Sequence, residues 1–260
     1  MKLGRRLFST TLACLVVAAI EYRARFRGLL GGLLWPLLTF AGTAVGIGFV
    51  MSRLQGIPFN EHVIYVGQGL WIWNLIAASV SENNEVLRRS QKFIIESQRS
   101  EVFWVVKSFF ESLIQFFLQG VSLILISVIL GGMIYIKMDI FIDVAIVIIL
   151  SLLMKLFSSF SVFLVAEFAE VYRAAARLAF FLTPVIWVAS PNAYRFNSAD
   201  RHLDGLSGLV AFNPVAHALN VVRSTSLEVS SYLVLGVCLL FGILLSALLR
   251  GAVKTRMGFQ

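Results

Sequence analysis

Long stretches of this chain carry no charged residue. One lies between Arg27 and Arg53, a second between Glu61 and Glu82, and a third between Glu111 and Lys137. A fourth, between Asp143 and Glu167, is broken only by Lys155, and two more cover Leu178–Tyr194 and Val229–Leu249. These intervals approach or exceed the ~20 mainly apolar residues that a helix needs to cross a bilayer. Composition points the same way. Hydrophobic residues make up 58% and charged residues 14%, whereas a soluble domain carries about 25% charged residues. The apolar excess has to face lipid, so the chain reads as an all-α integral membrane protein.

Six transmembrane helices are expected, at about 28–52, 62–81, 109–132, 144–166, 173–190 and 229–249. The fifth is short and contains Pro184. Residues 205–222 lack charge but include Asn213-Pro214, His217 and Asn220, which are costly against lipid and tolerable where backbone lines a protein cavity. They read as part of a re-entrant or interfacial helical pair at 191–222; a further span is the alternative.

Basic residues set the orientation, because Lys and Arg concentrate on the cytoplasmic side. Lys2, Arg5, Arg6, Arg23, Arg25 and Arg27 precede the first span, and Arg88, Arg89, Lys92, Arg99 and Lys107 follow the second. Arg173 and Arg177 lie near the start of the fifth, and Arg250, Lys254 and Arg256 follow the last. Only Arg53, Lys137, Arg195, Arg201 and Arg223 fall on the other side. Both termini are therefore expected in the cytoplasm. The net charge of +8 is a topology signal, and no nucleic-acid partner is expected.

Residues 1–27 read as an amphipathic helix in the cytoplasmic interface, its arginines reaching the headgroups. A cleaved signal peptide is the alternative, although no small-residue cleavage site follows Leu12–Ile20. Residues 251–260 form a cytoplasmic tail. Cys14 and Cys238 specify neither a disulfide framework nor a metal site.

The sequence holds no phosphate-cradling loop and no His-Glu-x-x-His or Cys-x-x-Cys motif. No catalytic residue, metal ligand or cofactor is expected in this chain, so it is not read as an enzyme. Uphill work would draw on a partner or an ion gradient. Lys155, the one charge well inside a span, can snorkel, pair with an acid on a neighbouring helix or line a wet cavity. Asp139 and Asp143 have helical spacing at a span end, where solvation is the simplest reading. Lys107 and Glu111 are spaced to pair.

Between spans two and three, Leu87, Phe93, Ile94 and Ile95 are set among charges. The pattern predicts a short cytoplasmic helix at 86–100 with an exposed apolar ridge, suited to a partner's groove; lying on headgroups is the alternative. Gly42-x-x-x-Gly46 and Ala44-x-x-x-Gly48 allow close helix approach. Tryptophans near span ends anchor at the interface by default, and aromatic faces on a channel wall can also stack on sugar rings.

Several segments, in order, resemble the ABC-2 permeases, most closely the branch exporting O-antigen, capsule and teichoic acid. Glu21-Tyr22-Arg23-Ala24-Arg25-Phe26-Arg27-Gly28-Leu29-Leu30-Gly31, followed by Trp35 and Pro36, looks like that family's basic segment and approach to its first span. Gly67-x-Gly69-Leu70-Trp71-x-Trp73 and Glu82-Asn83-Asn84 resemble its second span and exit. The most specific match is Arg177-Leu178-x-Phe180-Phe181-Leu182-Thr183-Pro184-Val185-Ile186-Trp187, and Asn213-Pro214 followed by Arg223 resembles the segment before the last span. The chain departs from the family at Ala166-Glu167, where the family often has Arg-Asp, and Lys155 matches no family feature.

The resemblance implies a homodimer enclosing a polymer channel, above two copies of a separate ABC ATP-binding subunit that holds ATP and magnesium. It implies export of an undecaprenyl-linked polysaccharide such as O-antigen across the bacterial inner membrane, in lipopolysaccharide biosynthesis. Residues 86–100 would be the coupling helix, with Arg88, Arg89, Lys92, Phe93, Ile94 and Ile95 meeting the ATPase. Arg23, Arg25 and Arg27 would contact the lipid pyrophosphate or ordinary membrane lipids. Trp71, Trp73, Phe180, Phe181 and Trp187 would be channel aromatics. An ABC-2 permease for a drug or small lipid, and an ion-coupled carrier, are the alternatives.

Overall fold

The computed structural model describes residues 2–28, 32, 34–56, 58–82, 84–97, 99–131, 140–183, 185, 213–223 and 229–258. Among them every regular element is helical: α1 Lys2–Arg25, α2 Leu34–Gln55, α3 Phe59–Ser81, α4 Val86–Arg89, α5 Gln91–Ser97, α6 Glu101–Ile129, α7 Ile140–Leu164, α8 Phe168–Leu182, α9 Pro214–Arg223 and α10 Val229–Gly258.

Five of these, α2, α3, α6, α7 and α10, are long and apolar enough to cross a membrane. They coincide with five expected spans, although α6 starts eight residues before the expected 109 and α10 runs nine past 249. The expected span at 173–190 meets α8, which starts earlier and has 15 residues. Residues 186–190, and with them Trp187, lie outside the described residues, as do Asp139 and 191–212. α9 is ten residues, about 15 Å of helix, roughly half the ~30 Å hydrocarbon core.

α3 sits at the centre, packed by α2, α6, α7, α8 and α9. Val63, Val66, Leu70, Ile72, Leu75 and Ile76 are buried around its whole circumference, as expected of a helix with no solvent or lipid face. Close approach needs small residues at two positions. A Cβ on Gly48 would lie 2.6 Å from Val63 Cγ2 and 2.8 Å from Val63 Cα, and one on Gly69 would run into Arg223 and the Val185 carbonyl. By contrast, Gly42 and Gly46 have open space where a Cβ would point. The close α2–α3 contact therefore belongs to the Ala44–Gly48 pair. α10 presents Leu233, Val237, Leu240, Leu244 and Leu248 outward, the exposed apolar face of a helix against lipid or another helix.

α1 is continuous and lies on α6. Its buried stripe is Cys14, Ala18 and Tyr22, while Leu12, Val16 and Ile20 stay exposed, a distribution suited to an interface. Four charges tie the two helices together. Lys107 pairs with Glu111 at 2.9 Å, as the spacing predicts, and also with Glu21, while Arg25 reaches Glu111 at 2.7 Å. The far end of α10 joins the same region through Arg250 to Glu101 at 2.7 Å. The N-terminal helix and the C-terminal end of α10 thus meet the first turns of α6 on one side of the bundle.

Candidate functional site

The loop after α3 forms two short helices, α4 and α5, in place of the single helix expected at 86–100. The apolar ridge divides between two faces. Leu87 is fully buried and Ile94 is 8% exposed, so these two point inward. They pack with Val105 of α6, Phe160 and Phe163 of α7 and Val253 of α10. Phe93 and Ile95 are each 59% exposed and point outward. Arg88, Arg89 and Lys92 are exposed beside them, and Arg89 pairs with Glu85 at 3.0 Å. Of the six residues expected to meet a partner, Ile94 faces the chain's own core.

A cleft of about 470 Å³ opens between α3 and α8, lined by Trp73, Ala77 and Ser81 on one side and Arg173, Ala176, Arg177, Phe180 and Phe181 on the other. The α8 contribution follows from helical spacing, since positions i, i+4 and i+7 share a face. Trp73 meets Phe180 edge-on at 5.5 Å, and Phe180 meets Phe181 at 5.7 Å. Arg173 is paired with Glu170 at 2.5 Å and approaches Glu85 at 3.9 Å. The Arg173 guanidinium holds the Glu170 carboxyl below the usual carboxylate range. Arg177 makes no ion pair among the described residues.

Trp73, Phe180 and Phe181 are therefore brought together. Trp71 is placed elsewhere: its ring stacks on Phe116 at 4.5 Å and its indole N–H donates to the Phe116 carbonyl at 2.8 Å. Arg23 and Arg27 are exposed near the end of α1, whereas Arg25 is engaged by Glu111. The two cleft arginines lie in a different part of the fold, on α8. Their signal in the sequence was the Arg-x-x-x-Arg-x-x-Phe spacing across 173–180.

The Thr183 and Asn213 motifs also meet. Asn213 Nδ2 donates to Thr183 Oγ1 at 2.8 Å, while Asn213 Oδ1 accepts the Val215 N–H at 3.0 Å. Asn followed by Pro214 is a favourable start for a helix. At the other end of α9, Arg223 donates to the carbonyls of Val185 at 2.7 Å and Tyr65 at 3.0 Å. Its guanidinium lies 3.8 Å from the Tyr65 ring centroid.

Two buried charges depart from the simplest expectations. Asp143 is buried and accepts from Tyr232 at 2.5 Å, so it is enclosed by α10 and not solvated at a span end. Lys155 is fully buried and donates to the main-chain carbonyls of Ala78 and Glu82. Its partners are backbone oxygens at the end of α3, which rules out snorkelling in this structure. Among the described residues no group of three or more His, Cys, Asp or Glu is placed to hold a metal ion. Set against known proteins, the chain matches no family model and no curated protein.

Proposed function

We propose that the chain is the permease subunit of an ATP-driven ABC-2-type exporter that moves lipid-linked cell-surface polysaccharide across the bacterial inner membrane. Both termini and the α4–α5 segment lie on the cytoplasmic side, and the permease works as a homodimer with two separate ATP-binding subunits. One observation carries this reading. The α4–α5 segment has a docking face and an anchoring face: Phe93 and Ile95 project outward among basic residues, while Leu87 and Ile94 are seated against α6, α7 and α10. A push on the outer face would reach three helices through packed side chains, and packed interiors transmit such displacement because they have little free volume. The family resemblance supplies the substrate class.

The experiment is co-purification of the full chain with a candidate ATPase, together with ATP hydrolysis by the complex. The double variant Phe93→Ala, Ile95→Ala removes the exposed anchors and leaves the buried pair intact. Binding should weaken by at least about tenfold, since buried aromatic anchors at interfaces commonly contribute 2 kcal/mol or more. Unchanged association and unchanged hydrolysis in this variant would refute docking at α4–α5.

A further inference from the structure

The cleft between α3 and α8 combines features that a lipid-facing groove does not need. Its walls are chiefly apolar and aromatic, from Trp73, Ala77, Ala176, Phe180 and Phe181, and two guanidiniums stand on one of them. Arg173 and Arg177 are one helical turn apart, a spacing at which like charges oppose each other. Arg173 is neutralised by Glu170 and Glu85. Arg177 forms no ion pair among the described residues; it feels the charge of Glu170, which Arg173 already binds directly, and it lines the same wall. A cation beside an apolar cleft in a membrane protein calls for an anion, and guanidinium groups match phosphate oxygens with paired hydrogen bonds.

We propose that this cleft binds an anionic amphiphile whose phosphate or diphosphate head is held by Arg177. The group next to the head, an isoprenoid chain or a sugar ring, lies along Trp73, Phe180 and Phe181. The geometry suits a head and a body together. Arg177, Phe180 and Phe181 line the α8 wall, with Phe181 73% exposed, and Trp73 faces them from α3. Aromatic side chains offer an apolar face to either a chain or a ring. The inference rests on the proposed export function for its biological setting and relocates the anion contact from α1 to α8. Binding itself requires no ATPase.

The test uses the full chain in phosphatidylcholine nanodiscs, with empty discs as the baseline and tritiated farnesyl diphosphate as the probe. Saturable binding is expected, and Arg177→Gln should weaken it at least about tenfold, the loss of one charge-assisted phosphate contact. Arg177→Lys should retain part of the affinity. Arg173→Gln should lose less than Arg177→Gln, because Arg173 is already paired. Inorganic pyrophosphate should compete poorly, and phosphatidylglycerol in the discs should leave binding in place. Undiminished binding by Arg177→Gln would overturn the assignment. Equal competition by inorganic pyrophosphate would make this a site for the free anion, and abolition by phosphatidylglycerol would make it an ordinary headgroup site; either result overturns the proposal. The Phe93→Ala, Ile95→Ala protein should bind the probe like the wild type, so failure of docking and failure of this site give different results.

Discussion

Lys155 of α7 donates to the carbonyl oxygen of Ala78 at 3.4 Å, within the last turn of α3. The final carbonyls of a helix have no partners inside the helix, and its C-terminal end carries partial negative charge. Here Ala78 also accepts the Glu82 N–H at 3.1 Å, and side chains reach the carbonyls that follow. Lys155 also donates to the Glu82 carbonyl, Ser158 Oγ donates to Ser79 at 2.9 Å, and Asn84 Nδ2 donates to Val80 at 3.2 Å. This buried clasp fixes the end of α3 to α7 immediately before the α4–α5 segment.

Lys155→Met should therefore loosen the end of α3. Losing the bonds from the charged Lys155 donor costs about 1.5–3 kcal/mol, whereas losing the neutral Ser158 bond in Ser158→Ala costs about 0.5–1.5 kcal/mol. Thermal unfolding in detergent checks the order of the two effects. Hydrogen exchange should rise at 79–85 in Lys155→Met, with the middle of α3 still protected.

Glu111 is the shared acceptor of Arg25 and Lys107, and its side chain is buried while that of Arg25 is half exposed. Glu111→Gln should release the end of α1 and leave Lys107 with Glu21 alone. Trypsin should then cut at Arg23, Arg25 or Arg27 on the order of tenfold faster, since breaking a buried pair costs more than breaking an exposed one. Equal cleavage rates would show that apolar packing of Cys14, Ala18 and Tyr22 is enough to hold α1 in place.

Gly48→Ala and Gly69→Ala should each destabilise the bundle by about 1–3 kcal/mol, the usual cost of overpacking. The first would press on the backbone of Val63, and the second would displace Arg223 and the segment at Val185. Gly42→Ala and Gly46→Ala have open space and serve as controls. Unfolding midpoints of the four variants, compared in one detergent, separate the pairs.

The Cys14 thiol is buried, donates to the Phe103 carbonyl at 3.6 Å and has its pKa raised by desolvation. The thiolate is the reactive form, so a raised pKa lowers its fraction at neutral pH. Alkylation of Cys14 by a water-soluble maleimide should be slow at pH 7 and accelerate only as pH rises beyond the ordinary thiol range. Mass spectrometry of the Cys14 peptide across pH measures it. Fast labelling at pH 7 would mean that α1 leaves α6.

The chain's scarcity of charge was enough to locate five membrane-length helices, because lipid penalises any charge within them regardless of what surrounds the helix. Local spacing was also enough to foresee the Lys107–Glu111 pair, whose partners share one helix face. Relations across helices were not legible in this way. Periodicity marked Leu87, Phe93, Ile94 and Ile95 as one ridge, and only the positions of α6, α7 and α10 decided that two of them turn inward. Lys155 read as an unexplained charge until the end of α3 supplied carbonyl acceptors from residues more than seventy positions away in sequence. Arg173 and Arg177 read as topology markers until Trp73 stood opposite them. Helix formation and membrane character depend on local composition, which a sequence states directly. Which face meets which neighbour depends on packing among distant segments, and that was decided only by the tertiary structure.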